Sequence, residues 1–169
     1  MNKIKMDFVV VGAHRTGTTW LYENLYHHPE IQLSKKRKEL HFFDRDANYN
    51  QGIGFYNTFF KICSDKKRNG DITPSYLSHK IVPKRMFACF PDTKIIIILR
   101  NPIDRLYSHY MLNEGNNNNG ETFNQYFKRK IKENGYSNSL NEGEYIKHIK
   151  SFLKYFKKKQ ILFVFNEDI

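Results

Sequence analysis

The stretch Phe8-Val-Val-Val-Gly12-Ala-His-Arg15-Thr-Gly17-Thr-Thr19-Trp-Leu21 constrains this chain more than any other. A short apolar run ends at a glycine, passes through a polar loop and enters a helical pattern. Strand, glycine-bearing loop and helix together build a cradle for phosphate, because loop amides and the positive end of the helix converge on one anion. The spacing from Gly12 to Gly17, followed by Thr18-Thr19, overlays the pattern G-x-x-x-x-G-K-[ST] with Thr18 in the lysine position. The side chain that would reach the β- and γ-phosphates of a nucleoside triphosphate is missing. The loop therefore reads as one that does not serve ordinary ATP or GTP hydrolysis. A plain strand-to-helix turn with glycine punctuation is the alternative.

A second strand end makes the first informative. Lys94 to Leu99 is β-branched and apolar on both faces, which predicts an interior parallel strand. It runs into Arg100-Asn-Pro102, with Pro102 placed to start a helix that carries Leu106, Tyr107, Tyr110 and Met111. In open α/β sheets ligands bind beyond the carboxyl ends of the strands. A nucleoside triphosphatase would place a carboxylate there to hold magnesium. This chain places Arg100, which with Ser108 on the following helix could hold a second phosphate through charge-assisted hydrogen bonds. An ion pair between Arg100 and Asp104 is the competing reading.

The remaining segments alternate. A first helix runs to His28-Pro29, and Ile31-Gln-Leu33 is extended. Helical spacing returns at Phe55, Phe59 and Phe60, covering one face of the sheet. Asn69-Gly70 marks a turn, and a helical pattern from Ser78 to Phe90 is interrupted by Pro83. Asn113 to Gly120 reads as a polar loop, Glu121 to Glu133 and Glu142 to Lys157 as helices, and Ile161 to Phe165 as a last buried strand. The expected fold class is α/β, with a P-loop-like central parallel β-sheet flanked by helices.

At 169 residues, 40% hydrophobic and 15% aromatic, the chain fits one domain with a real core. A formal net charge of +11 favours a polyanionic partner, although general lysine and asparagine richness accounts for it equally well. Cys63 and Cys89 lack metal-ligand spacing and read as buried free thiols, with a single bridge as the other option. No apolar run has the length of a membrane span, and Phe8 to Val11 is too short for a signal-peptide core. The expected location is cytoplasmic.

Three blocks together, Arg15-Thr-Gly-Thr-Thr19, Lys38-Glu-Leu-His-Phe-Phe-Asp44 and Leu99-Arg-Asn-Pro-Ile-Asp-Arg-Leu-Tyr-Ser108, resemble the sulfotransferases that use 3′-phosphoadenosine 5′-phosphosulfate (PAPS). The likeness is greatest to the heparan sulfate and related carbohydrate branch. Gly70 to Tyr76, Gly143-Glu-Tyr145 and Ile161 to Asp168 also stand in family order.

The resemblance implies transfer of a sulfuryl group from PAPS to a hydroxyl or amine of an anionic carbohydrate. It implies 3′-phosphoadenosine 5′-phosphate (PAP) as the product and no metal. Arg15, Thr16, Gly17, Thr18, Thr19 and Trp20 would hold the 5′-phosphosulfate, and Arg100 and Ser108 the 3′-phosphate. Arg15 would also stabilise charge on the departing phosphate, Glu39 would be the general base, and His41 would share that task or orient the acceptor. Nucleic acid is not an expected partner, and no membrane span is expected in this chain.

Two departures stand out. Ile72 occupies the position of a lysine that contributes to the site of glycosaminoglycan-modifying members. Relatives also continue past the final strand into another cofactor-contacting loop, so residues 1–169 read as one sulfotransferase-like domain lacking that C-terminal segment. A peptide tyrosine as acceptor, a nucleotide kinase, and a nucleotide- or polyanion-binding module without turnover are the alternative readings.

Overall fold

A computed structural model describes residues 4–60, 67–113, 120–132 and 138–168. Five strands form one all-parallel sheet in the order β2-β3-β1-β4-β5: β1 (Phe8–Gly12), β2 (Ile31–Gln32), β3 (Arg68–Ile72), β4 (Lys94–Leu99) and β5 (Ile161–Phe165). The expected α/β architecture is present. The period-two alternation of strands divides the apolar residues between two faces. Val9, Val11, Ile95 and Ile97 join the larger core, while Val10, Ile72 and Ile98 join a smaller one. Helix α1 (Thr18–Tyr26) covers the smaller face through Leu21, Tyr22 and Leu25.

The larger face is aromatic. The short helices α2 (Asp46–Tyr49) and α3 (Gly52–Asn57) bring Tyr49 and Tyr56 against Phe42 and Phe43. Phe60 is buried there as the spacing predicts, but Tyr56 carries the helix's largest contribution. Helix α4 (Val82–Cys89) adds Val82 and Met86. Helices α5 (Pro102–Asn113) and α6 (Phe123–Lys132) share a satellite cluster of Leu106, Tyr110 and Tyr126. The turn α7 (Asn138–Asn141) precedes α8 (Tyr145–Leu153), whose Phe152 returns to the main core.

Several elements depart from the expectations. Asn69 and Gly70 form no turn: both lie inside β3, where Gly70 pairs with Phe8. A Cβ at Gly70 would fall 2.2 Å from Phe8 Cζ, so the glycine makes room for a ring crossing the neighbouring strand. Pro83 does not interrupt a helix but sits in the first turn of α4, where the missing N–H costs nothing. Strand β5 is an edge strand with Leu162 and Phe165 exposed, because only β4 pairs with it. Helix α8 is shorter at both ends than its periodicity, and α6 starts later than its own.

Cys89, the last residue of α4, is half-buried beside Tyr49, whereas Cys63 lies outside the described residues. Helix α5 runs through Asn113, and positions 114–119 of the expected polar loop are likewise outside them. No helix of the described residues is long and apolar enough to cross a membrane.

Candidate active site

Because all five strands are parallel, their carboxyl ends share one edge of the sheet, and every candidate residue gathers there. The loop after β1 closes on itself through the buried Thr16 hydroxyl, which donates to the Ala13 carbonyl at 2.7 Å. Gly17 then takes φ +88° as the N-cap of α1. A side chain there would be strained in backbone and would meet Asn166 Nδ2 at 2.9 Å, so this position requires glycine. Gly17 offers no capping side chain, and the first helical bond runs from Leu21 N to Gly17 O at 3.0 Å. Among the described residues no acceptor in the chain takes the amides of Thr16, Gly17, Thr18, Thr19 or Trp20. Orphan donors at a helix N-terminus beside a glycine loop fit an anionic phosphate group.

The second strand end closes against the first. Arg15 Nε donates to Ser108 Oγ at 3.1 Å, and Arg100 Nη1 donates to the Arg15 carbonyl at 3.3 Å. The two phosphate positions expected from sequence are thus adjacent, with Arg15 reaching toward the second. The competing ion pair between Arg100 and Asp104 does not form. Tyr145 donates to the Arg100 carbonyl at 3.0 Å, and Asn166, just beyond β5, donates to the Thr16 carbonyl at 3.3 Å. Asn166 was assigned no role from sequence. Trp20 is exposed on the third position of α1 and Thr19 on the second, while Thr18 is buried.

Across the cradle stands a chain of ionisable groups. His41 Nδ1 lies 2.8 Å from Asp44 Oδ2, and Nε2 lies 3.4 Å from Glu39 Oε2. Ser75 Oγ donates to the same Asp44 oxygen at 2.6 Å. The hydrogen bond to Asp44, then that to Glu39, raises the His41 pKa to about 9 against its desolvation. The ring is therefore an imidazolium at neutral pH. The His41 hydrogen bond lowers Glu39 in turn, with Lys38 adding to the effect over an opposing desolvation. Burial pushes Asp44 upward, but hydrogen bonds from His41 and Ser75 outweigh it and the carboxyl ends low. Asp44 and Ser75 are members of the site that the residue pattern did not single out; the three-residue step from His41 to Asp44 was the available signal.

The backbone of this segment is pinned by side chains distant in sequence. Leu40 N donates to Thr73 Oγ1 at 3.0 Å, and Phe42 N to the Tyr76 hydroxyl at 3.0 Å. On the carbonyl side, Asn48 donates to His41 at 2.7 Å and Arg85 to Phe43 at 3.0 Å. Thr73 and Tyr76 are themselves held by the fully buried Asp71, whose Oδ1 accepts from Thr73 at 2.7 Å. Its Oδ2 accepts from Tyr56 at 2.9 Å and Tyr76 at 3.3 Å. Burial drives the Asp71 pKa up to about 6 against those three hydrogen bonds.

Tyr76 therefore belongs to the core and reaches the site only through the backbone it holds. Among the described residues Arg15 (φ 66°) and His41 (φ 49°) are the non-glycine positions with positive φ. Such strain persists where the surroundings over-determine it, and it concentrates at functional sites.

Lys38 links the two halves. Its Nζ donates to Thr19 Oγ1 at 2.7 Å and lies 3.6 Å from Glu39 Oε1. In sequence it is the last of four consecutive basic residues, Lys35-Lys-Arg-Lys38. Ile72 is buried in the smaller core and takes no part in the site.

Residues 5–169 match the sulfotransferase domain family. The chain belongs to that family. This sulfotransferase-family chain is 30% identical over 158 residues to human heparan sulfate glucosamine 3-O-sulfotransferase 5, covering 90% of this chain and 45% of that protein. It is also 30% identical over 176 residues to the bovine bifunctional heparan sulfate N-deacetylase/N-sulfotransferase 2, covering 96% of this chain and 20% of that one. It spans less than half the length of both relatives.

In structure it is similar to a sulfotransferase from Alicyclobacillus acidocaldarius, with a TM-score of 0.82 and 26% identity over 98% of this chain and 74% of the other. A mouse sulfotransferase solved with PAP shares the fold at a TM-score of 0.60 and 23% identity, over 99% of this chain and 54% of that one.

Proposed function

We propose that this chain binds PAPS and transfers its sulfuryl group to a hydroxyl or amine of a carbohydrate acceptor. One observation carries the reading. Five backbone amides without acceptors among the described residues share a rim with Arg15, Arg100 and Ser108, and Lys38 ties that rim to Glu39. PAPS supplies the activated sulfuryl group when bound; the remaining work falls to the side chains and amides of the site.

The amides of Thr16 to Trp20 and the Thr18 and Thr19 hydroxyls hold the 5′-phosphosulfate, while Arg100 and Ser108 hold the 3′-phosphate. Arg15, between them, offsets negative charge on the departing nucleotide with its guanidinium. Glu39 is kept ionised at neutral pH and takes the acceptor proton. His41, held as an imidazolium by two carboxylates, orients Glu39 and the acceptor instead of sharing the base role. A carbohydrate acceptor is supported by the named activities of the heparan sulfate relatives and by the net charge of +11.

Calorimetric titration with PAP against 5′-AMP tests the nucleotide assignment: tighter binding of PAP is expected, and equal binding refutes the roles of Arg100 and Ser108. An acceptor screen with radiolabelled PAPS tests the rest. Label entering a sulfated or carboxylated glycan supports the proposal, and label entering only tyrosine peptides refutes its acceptor.

A further inference from the structure

We propose that Lys38 is a further catalytic residue, the mobile cation that donates to the 5′-phosphate oxygen as the sulfuryl group departs. This rests on the function proposed above. The site lacks a lysine at each place where one is expected, since Thr18 occupies the loop position and Ile72 is buried under α1. Arg15 approaches the 5′-phosphate position from the far side, with its Nε on Ser108. The edge of the cradle nearest Glu39 is served instead by Lys38, whose Nζ reaches the second residue of α1 at 2.7 Å.

The basic run around it separates into two groups. Arg37 donates to the Leu40 carbonyl and lies 4.6 Å above the Phe59 ring, and Lys36 stands 5.8 Å from the same ring. Both are turned from the cradle toward Phe59, whereas Lys38 is turned into it. The Lys38 side chain is 23% exposed, against 76% for Lys5 and 59% for Lys147 in their surface ion pairs. A solvated member of a charge run would look like the latter two.

The position suits the charge movement that sulfuryl transfer requires. The acceptor atom forms a bond to sulfur, and its proton passes to Glu39. The sulfur–oxygen bond to the phosphate breaks, and its electron pair remains on the phosphate oxygen. Lys38 keeps its proton and donates a hydrogen bond to that oxygen. The bond strengthens as negative charge grows, so it favours the transition state over the ground state. An ammonium on a flexible four-carbon stem can make this short excursion from Thr19. Moving away from Glu39 also withdraws one of the cations that lower its pKa, making Glu39 a better proton acceptor as the proton arrives.

The test compares PAP with adenosine 3′-phosphate, which lacks the 5′-phosphate, by calorimetry on wild type, Lys38→Met and Lys38→Arg. Lys38→Met is expected to lose about tenfold in affinity for PAP and less than about twofold for adenosine 3′-phosphate, the loss of one charged hydrogen bond. Lys38→Arg should bind PAP within about threefold of wild type, since it retains the charge. Turnover of Lys38→Met should fall about 10²-fold with little change in acceptor KM, in line with removal of one transition-state donor.

Unchanged PAP affinity in Lys38→Met would overturn the inference, as would an equal loss for both nucleotides, which would mean that Lys38 only shapes the cradle. Failure of the underlying function is separately visible, as a wild type that does not distinguish PAP from 5′-AMP.

Discussion

The two halves of the site are built in opposite ways. The cradle from Gly12 to Trp20 is local: a strand, a glycine with positive φ and a helix N-terminus generate its donors from consecutive backbone. The Glu39–Asp44 segment has no regular secondary structure and is held by Thr73, Tyr76, Asn48 and Arg85, with Asp71 buried behind them. Anion binding needs only amides pointing one way, which a short motif supplies. Acid–base chemistry needs side chains held at fixed separations and protonation states, which a loop achieves only if the core holds it.

Variants should separate the halves. Glu39→Gln, which touches only the chemical half, is expected to lower turnover by about 10²–10⁴-fold while PAP affinity stays unchanged by calorimetry. A parallel loss of PAP affinity would show that the halves are not separable.

Tyr76→Phe removes the acceptor for the Phe42 amide inside the core, which should cost about 1–3 kcal/mol of stability, measured by thermal or denaturant unfolding. Turnover at a temperature where the variant is folded should fall more than PAP affinity does.

Asp44→Asn probes protonation. His41 is raised to about 9, so the ion chain and the stability it confers are fully present below the ordinary histidine value and are lost as pH rises through about 9. The alkaline limb of kcat/KM should therefore lie near 9 in wild type and move to lower pH in Asp44→Asn, because the largest cause of the elevation is gone. A limb that does not move would detach His41 from the mechanism.

The smallest effect is expected in the cradle. Ser108→Ala should weaken PAP by about 1.5 kcal/mol, the low end for a single hydrogen bond to a charged group, without altering 5′-AMP binding in calorimetry.

What could be read in advance followed the same division. Strands β1 and β4 were legible because continuous apolar runs flanked by glycine or proline have few other solutions, and the cradle followed from the first of them. Arg100 and Ser108 were named from strand-end logic, and the structure brings both against Arg15 on one rim.

Gly70 was misread because a glycine that admits a neighbour's ring has the same letter as a glycine in a turn. Strand β5 was misread as buried because composition does not report how many neighbours a strand has. Glu39 and His41 were nameable from the Lys38–Asp44 block, but not their protonation states.

Residue order by itself was sufficient for the strand–loop–helix cradle after β1, since its donors are consecutive amides and its glycine requirement is a property of single dihedrals. Only the tertiary structure decided which side-chain cation of the basic run reaches the loop that has no lysine of its own. Lys38 and Thr19 are 19 positions apart, and nothing in a run of four basic residues marks the one that turns inward. It likewise decided that His41 is charged, because that depends on two carboxylates meeting one ring and on a core that holds them in place.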